Sequence, residues 1–238
     1  MKLSFIIPTL NEEKLLPQIL SQLNELKADF NNMEIIISDG GSTDSTLEIS
    51  ENYANKIITS TLKQNISIGR NQGALQASGD ILIFINADVK ISNLSDFLSD
   101  IQEFSNNDKY SAISFPVRIF PEDEKFSDKI FLQFYNIYFR FLNLIKLGMG
   151  RGECQVIKKE MFEKINGYNE KLFAGEDFDL FRRIRKLGKI KTADCLIFES
   201  PRRYRKEGHF KVLYQWFANA LYVLTLNKSI SKEWKQVR

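Results

Sequence analysis

Asn86 and Asp88 follow directly on five apolar residues, Ile81 to Ile85, with only Ala87 between them. Side-chain oxygens at the tip of a buried strand suit a hard divalent cation, and Mg²⁺ typically takes one or two carboxylates and completes its shell with substrate phosphates. Asp88 is the charged ligand of the pair and Asn86 a weaker, neutral one. A plain Asn/Asp turn after a buried strand would read the same way. A second cluster, Ser38-Asp39-Gly40-Gly41-Ser42-Thr43-Asp44, lies between an apolar run and a helix. Its glycines permit a tight turn, and Asp39 stands at the strand tip to accept hydrogen bonds from a ribose or base edge; a βα turn that merely caps its helix is the alternative. A third brings Glu176, Asp177 and Asp179 to a helix start behind Gly175. Helix-dipole stabilisation alone explains carboxylates there, yet a carboxylate after a glycine can also reach into a cleft. The fourth, Ser200 to His209, holds Arg202, Arg203, Arg205 and Lys206 around one tyrosine and reads as a loop. It is either solvated or a grip for a diphosphate. His209, the single histidine, is expected to be structural more readily than catalytic.

These clusters need elements to hold them. Leu3 to Pro8, Glu34 to Ser38, Lys56 to Thr59 and Ile81 to Ile85 are short, continuously apolar strands. Between them Glu12 to Lys27, Thr46 to Tyr53 and Ile68 to Ser78 have helical spacing, with Ser42, Thr43 and Asp44 available to cap the second. Such alternation predicts an α/β fold, a mostly parallel sheet covered on both faces. Ligands bind such sheets beyond the carboxyl ends of the strands, where Thr9-Leu10-Asn11-Glu12, Asp39-Gly40-Gly41-Ser42 and Asn86-Ala87-Asp88 all stand. Further on, Asp96 to Phe104 reads as a helix, Tyr110 to Arg118 as one strand, Glu153 to Ile157 as another, and Glu176 to Leu187 as an amphipathic helix. With no Pro/Gly/Ser-rich linker, the chain is expected to be a single domain, residues 1–118 forming one half and 119–238 the other.

Composition sets outer bounds. The 238 residues are 43% hydrophobic and 26% charged, with net charge +3, an ordinary globular balance too mild to imply nucleic acid. The charge is uneven: Phe178 to Lys211 holds eleven Lys/Arg against four Asp/Glu. A local basic cluster points to an anionic ligand or surface. Cys154 and Cys195 have no paired spacing and read as free thiols in a reducing, cytoplasmic compartment. The apolar start is too short for a signal peptide, and no run reaches the ~18 apolar residues of a membrane span.

Taken in order, "SFIIPTLNEE", "EIIISDGGSTDST", "GRNQGALQASGDILIFINADV" and "GYNEKLFAGEDFDLFRRIRKLGK" resemble the family 2 glycosyltransferases with the GT-A fold. The resemblance runs from Leu3 to about Lys191. It implies a Rossmann-like layered fold with a C-terminal acceptor side, a nucleotide-diphosphate-sugar donor (UDP- or GDP-linked), Mg²⁺ or Mn²⁺ near the diphosphate, and inversion at the anomeric carbon. By position, Pro8, Thr9 and Glu12 match the first nucleotide-contacting loop, Asp39 the carboxylate that reads base or ribose, and Arg70 the arginine near the nucleotide. Asp88 matches the metal-binding Asp of the family's DxD, with Asn86 in place of the first Asp. Asp177, next to Glu176, matches the general base of the "ED" pair. Arg202, Arg203 and Arg205 fall roughly where some members keep a basic cluster beside the leaving diphosphate. A non-catalytic nucleotide-sugar-binding subunit remains an alternative because of Asn86. A sugar nucleotidyltransferase is a second, although "PTLNEEKLLP" lacks the glycine-rich loop of that class.

Two aromatic segments stand apart. In Ile130 to Leu147 the polar residues Gln133, Asn136, Arg140, Asn143 and Lys146 form one narrow helical stripe. Phe210 to Leu226 repeats the design with Lys211, Gln215 and Asn219. Two buried helices or a homodimer interface would account for them. Apolar faces flanked by Arg and Lys also suit the inner surface of a membrane and a lipid-linked acceptor.

Overall fold

The computed structural model describes residues 1–60 and 65–230. A seven-stranded sheet forms its centre, in the order β3 (Lys56–Thr59), β2 (Met33–Asp39), β1 (Leu3–Thr9), β4 (Ile81–Ile85), β8 (Cys154–Lys158), β6 (Tyr110–Ser114), β9 (Lys189–Thr192). The first four strands are parallel, as the apolar runs predict. β8 lies antiparallel to both its neighbours, so the sheet is mixed from there on. Side chains alternate between two cores: Leu3, Phe5, Ile7, Ile81 and Ile83 face one, Ile6, Leu82 and Phe84 the other. Helices α1 (Leu16–Asp29) and α4 (Leu94–Ser105) cover the first face. On the second lie α3 (Ile66–Gln76), α6 (Lys159–Lys164) and α7 (Glu176–Ile184).

The predicted strand Tyr110 to Arg118 is two strands. It breaks at Phe115-Pro116, where proline has no N–H to give a ladder, and β7 (Val117–Ile119) crosses into a second sheet. That sheet has the order β5 (Val89–Ile91), β10 (Ile197–Glu199), β7. Tertiary pairing holds these three-residue strands, which are too short for a period to show. The basic stretch predicted as a loop is instead a short helix, α8 (Arg202–Glu207), and α2 (Thr46–Glu51) completes the first half.

Helices α5 (Phe126–Leu144) and α9 (His209–Leu226) lie side by side in the same direction. His209 meets Asp128, 81 residues away, the Trp216 ring meets Tyr135 at 5.1 Å, and Val223 shares a cluster with Leu142. Their polar stripes do not face water as a whole. Asn136 donates to Val117 O and accepts from its N–H (2.9 and 3.0 Å). Asn143 holds both backbone groups of Met149 (2.8 and 2.6 Å). Asn219 accepts from Ile230 N (3.1 Å) and is buried. Asparagines spend their amides on backbone that would otherwise be unpaired, and the helices turn aromatic residues outward instead.

Close packing of α3 on β1 depends on Gly73, where a Cβ would stand 2.4 Å from Ile6 Cγ2. Gly73→Ala is expected to cost about 1–3 kcal/mol through overpacking. A thermal melt checks this: Tm should fall by several degrees, and an unchanged Tm would show that the α3–β1 contact yields freely.

Candidate functional site

Strand register brings the candidate residues together. Thr9 and Asp39 are partners at the tips of β1 and β2, and Thr9 Oγ1 donates to Asp39 Oδ2 (2.8 Å). The Asp39 carboxylate also accepts from Gly41 N, Ser42 N and Ser42 Oγ (2.9, 2.7 and 2.5 Å). It is therefore fixed by the turn that presents it. Gly41, at φ +94°, supplies a backbone that side chains rarely adopt. Asn11 locks the neighbouring loop to the same turn: its N–H donates to Ser42 Oγ and its Oδ1 accepts from Thr43 N (2.8 and 2.7 Å). Pro8 lies one step earlier in β1, opposite Ser38.

Asp88 and Glu12 converge on one cation. Arg202 Nη2 donates to Glu12 Oε1 (2.8 Å) and to Asp88 Oδ2 (3.0 Å). The pairing of Val89 with Glu199 brings Arg202 there, since it sets Ser200 N on Asp88 O (3.1 Å) just before α8. Arg202 thus reaches the strand tips. Arg205 does not: it grips Asp128 at the start of α5 (2.8 and 2.5 Å), as does His209 (2.7 Å). Burial alone would raise the Asp128 carboxyl, but hydrogen bonds from Arg205, Lys125 N and His209 hold it at about 2. The Arg203 side chain makes no hydrogen bond or ion pair among the described residues.

The second cationic centre is Arg70, 1% exposed. It donates to Glu176 Oε1 (3.1 Å), Asn86 Oδ1 (3.0 Å) and Gly152 O (2.7 Å), and lies over the Tyr168 ring at 5.2 Å. Asn86 thus spends its oxygen on Arg70, and its N–H on Glu153 O (3.0 Å). Arg70 joins α3, the tip of β4, the loop before β8 and the start of α7. Gly175, at φ +78°, caps α7 in the left-handed region and sets Glu176 and Asp177 at its first turn. Asp177 Oδ2 stands 3.6 Å from where a Gly152 Cβ would be, next to Arg70. Burial, with the Glu176 charge alongside, pushes the Asp177 carboxyl up to about 7.

A third cluster escaped the motif reading. Arg151, 4% exposed, donates to Glu153 Oε1 (3.0 Å), Glu199 Oε1 (2.7 Å) and Tyr204 Oη (3.2 Å) and lies over Trp216 at 5.1 Å. Burial and Glu153 raise the Glu199 carboxyl, while Arg151 lowers that of Glu153 against its own burial. Arg151, Glu153, Glu199, Tyr204 and Trp216 are dispersed over 66 positions. The one local signal was Arg151-Gly152-Glu153 immediately before a strand.

Residues 4–166 match the model of glycosyl transferase family 2, and the chain belongs to that family. It is 33% identical over 93 residues to the poly(ribitol-phosphate) beta-N-acetylglucosaminyltransferase TarS of Staphylococcus aureus, covering 37% of this chain and 16% of that one. It is 32% identical over 111 residues to the GalNAc(5)-diNAcBac-PP-undecaprenol beta-1,3-glucosyltransferase of Campylobacter jejuni, covering 44% and 35%. Both alignments thus span well under half of the relative's length. In three dimensions it resembles the mannosyltransferase PcManGT from Pyrobaculum calidifontis in complex with GDP-Man and Mn²⁺. The TM-score is 0.71 at 21% identity, over 92% of this chain and 64% of the other. The GT-A fold expected from the motifs is the fold observed.

The raised Asp177 carboxyl has a consequence for stability that needs no substrate. The folded chain binds more protons than the unfolded one between about pH 4 and 7, so this group lowers stability as pH rises through that window. Asp177→Asn should therefore melt at least ~2 °C above wild type at pH 8, the gap closing by pH 4. Melts over that range test it; a variant less stable at pH 8 would mean the charged carboxylate is stabilised after all.

Proposed function

We propose that the chain transfers a sugar, with inversion, from a nucleotide-diphosphate donor to an acceptor hydroxyl or lipid phosphate. The observation that carries this reading is Asp177. A carboxyl near neutrality, at a helix start beside the strand tips, is suited to act as a general base at physiological pH. Thr9 and the fixed Asp39 turn receive base and ribose; Arg70, buried behind Asn86 and Glu176, keeps the floor rigid. Arg202 faces the diphosphate. Asp177 takes the proton of the acceptor hydroxyl as its oxygen bonds to the anomeric carbon, while the bond to the diphosphate breaks. One base opposite one leaving group gives a single displacement, hence inversion. An acceptor that is already an ionised phosphate would need Asp177 only for orientation.

The donor set fits Mg²⁺ or Mn²⁺. Glu12 and Asp88 already converge on one cationic nitrogen with hard oxygen atoms. No group of three or more His, Cys, Asp or Glu side chains forms a metal site among the described residues. Asp88, assisted by Glu12, would then hold the ion together with donor phosphates, as Mg²⁺ is usually held. When bound, the ion would neutralise charge gathering on the leaving diphosphate. The manganese and GDP-Man of the Pyrobaculum structure support this reading.

The acceptor side is proposed to meet a membrane surface. Along α5, Phe126, Ile130, Phe134, Ile137 and Phe141 are exposed; along α9, Phe210, Tyr214, Phe217 and Leu221. Lys129, Arg140 and Lys211 are the exposed charges of the two helices, and all are cationic. No described helix is long and apolar enough to cross a membrane, so these faces would lie on one. The undecaprenol-linked substrate in the Campylobacter relative's name supports a lipid-borne acceptor.

Turnover of UDP- and GDP-sugars, read as nucleotide release with Mg²⁺ or Mn²⁺, tests the transfer. Asp88→Ala should abolish it, and Asp177→Asn should lower it by at least ~10²-fold with donor binding kept. Wild-type activity should rise through about pH 7, and Glu176→Gln should move that limb lower by removing the neighbouring charge. Wild-type rates in Asp177→Asn would remove it as the base. Phe210→Asp with Phe217→Asp should abolish vesicle binding without changing Tm; retained binding would return α9 to a protein contact.

A further inference from the structure

A depression of about 400 Å³ opens where α5 and α7 end, away from the strand tips. Lys109, Lys146, Arg185, Lys186 and Lys189 line it together with Leu187, and no acidic side chain does. The fold brings these cations in from separate segments. Lys109 precedes β6 and Lys189 opens β9, held together by Lys189 N donating to Lys109 O (2.7 Å). Lys146 follows α5 at φ +70°. Gly148 presses that turn onto α7, since a Cβ there would stand 2.7 Å from Arg185 Cβ.

Basic residues near helix C-termini answer the dipole and the free carbonyls, and Arg185 does so by donating to Gly188 O (3.2 Å). Lys109 lies in the turn before β6 and Lys189 in β9, so neither stands in the last turn of a helix. Among the described residues, the ammonium groups of Lys109, Lys146, Lys186 and Lys189 have no carboxylate partner. Several like charges around one cavity repel unless an anion enters, and the cavity is large enough for a phosphodiester. Apolar surface adjoins it in sequence: Leu187 lines the cavity and is 42% exposed, and Lys146 is flanked by the exposed Leu144 (78%), Ile145 and Leu147. An anion that carries hydrocarbon satisfies both features.

We infer that this cavity receives the phosphate headgroup of an anionic membrane lipid, with Leu147 and Leu187 toward its acyl chains. The inference rests on the membrane reading of α5 and α9 and adds to it a site of lipid selectivity. Flexible lysine ammoniums, rather than a bidentate arginine fork, suit headgroups of varied shape.

Sedimentation with vesicles tests it, using phosphatidylcholine alone and phosphatidylcholine with an equal part of phosphatidylglycerol. The wild-type chain should bind the mixed vesicles more tightly. Lys186→Ala with Lys189→Ala should weaken that binding at least ~10-fold and leave binding to neutral vesicles unchanged. Lys14→Ala with Lys27→Ala, two exposed lysines outside the cavity, should have a much smaller effect. Equal losses in the two double variants would reduce the effect to overall charge and overturn the site. Equal wild-type binding to both vesicles would overturn the site and leave the membrane reading standing; binding to neither would overturn both. Displacement from mixed vesicles by millimolar inorganic phosphate at constant ionic strength would make free phosphate, not lipid, the ligand.

Discussion

A guanidinium with almost no access to water must be surrounded by acceptors, and Arg70 obtains its acceptors from three distant parts of the chain. Removing any one would leave a buried charge short of partners, an error costing several kcal/mol. Glu176, Asn86 and the Gly152 carbonyl are therefore fixed relative to one another by electrostatics as much as by packing. Asp177 inherits its place from that arrangement. It sits one residue beyond the carboxylate that answers Arg70, and the charge on Glu176 that satisfies the arginine also opposes ionisation of its neighbour. The carboxylate that answers Arg70 thus adds to burial in raising the Asp177 carboxyl.

Arg202 and Arg151 extend the same logic. Arg202 joins the two halves of the chain through Glu12 and Asp88, and Arg151 gathers Glu153, Glu199 and Tyr204 within the second. The small second sheet is what carries their partners into range. Its pairing of β10 with β5 links the β4 tip to α8, and its pairing with β7 draws in the segment that leads to α5. A three-stranded sheet with little core of its own thus fixes how α5 and α8 stand relative to the β4 tip.

The strands β2 and β4 were legible almost residue for residue because a strand buried on both faces is continuously apolar. The Asp39 turn and the Glu176-Asp177 pair were legible because special backbone demands glycine next to them. Asn86 has a partner that its type and place did not announce: its oxygen accepts from Arg70. Arg205 looked equivalent to Arg202, but on a helix rather than a loop the two project to different partners. The short strands β5, β9 and β10 carry too few residues for any period, and the Arg151 cluster exists only after folding has collected it. The polar residues of the two aromatic segments stand on α5 and α9, except Lys146, which follows α5; several of the asparagines bind backbone at the interior, which periodicity cannot distinguish from facing water.

That inward use of asparagine separates what orients α5 and α9 from what they display. Asn136, Asn143 and Asn219 anchor the helices to β7, to the turn after α5 and to the segment after α9 through directional bonds. The outward rings contribute little to that anchoring, with Phe210 88% and Phe217 64% exposed. The outer face is accordingly an interchangeable label: its chemistry can be rewritten, from greasy to charged or from one partner to another, without touching the bonds that set the register of the helices.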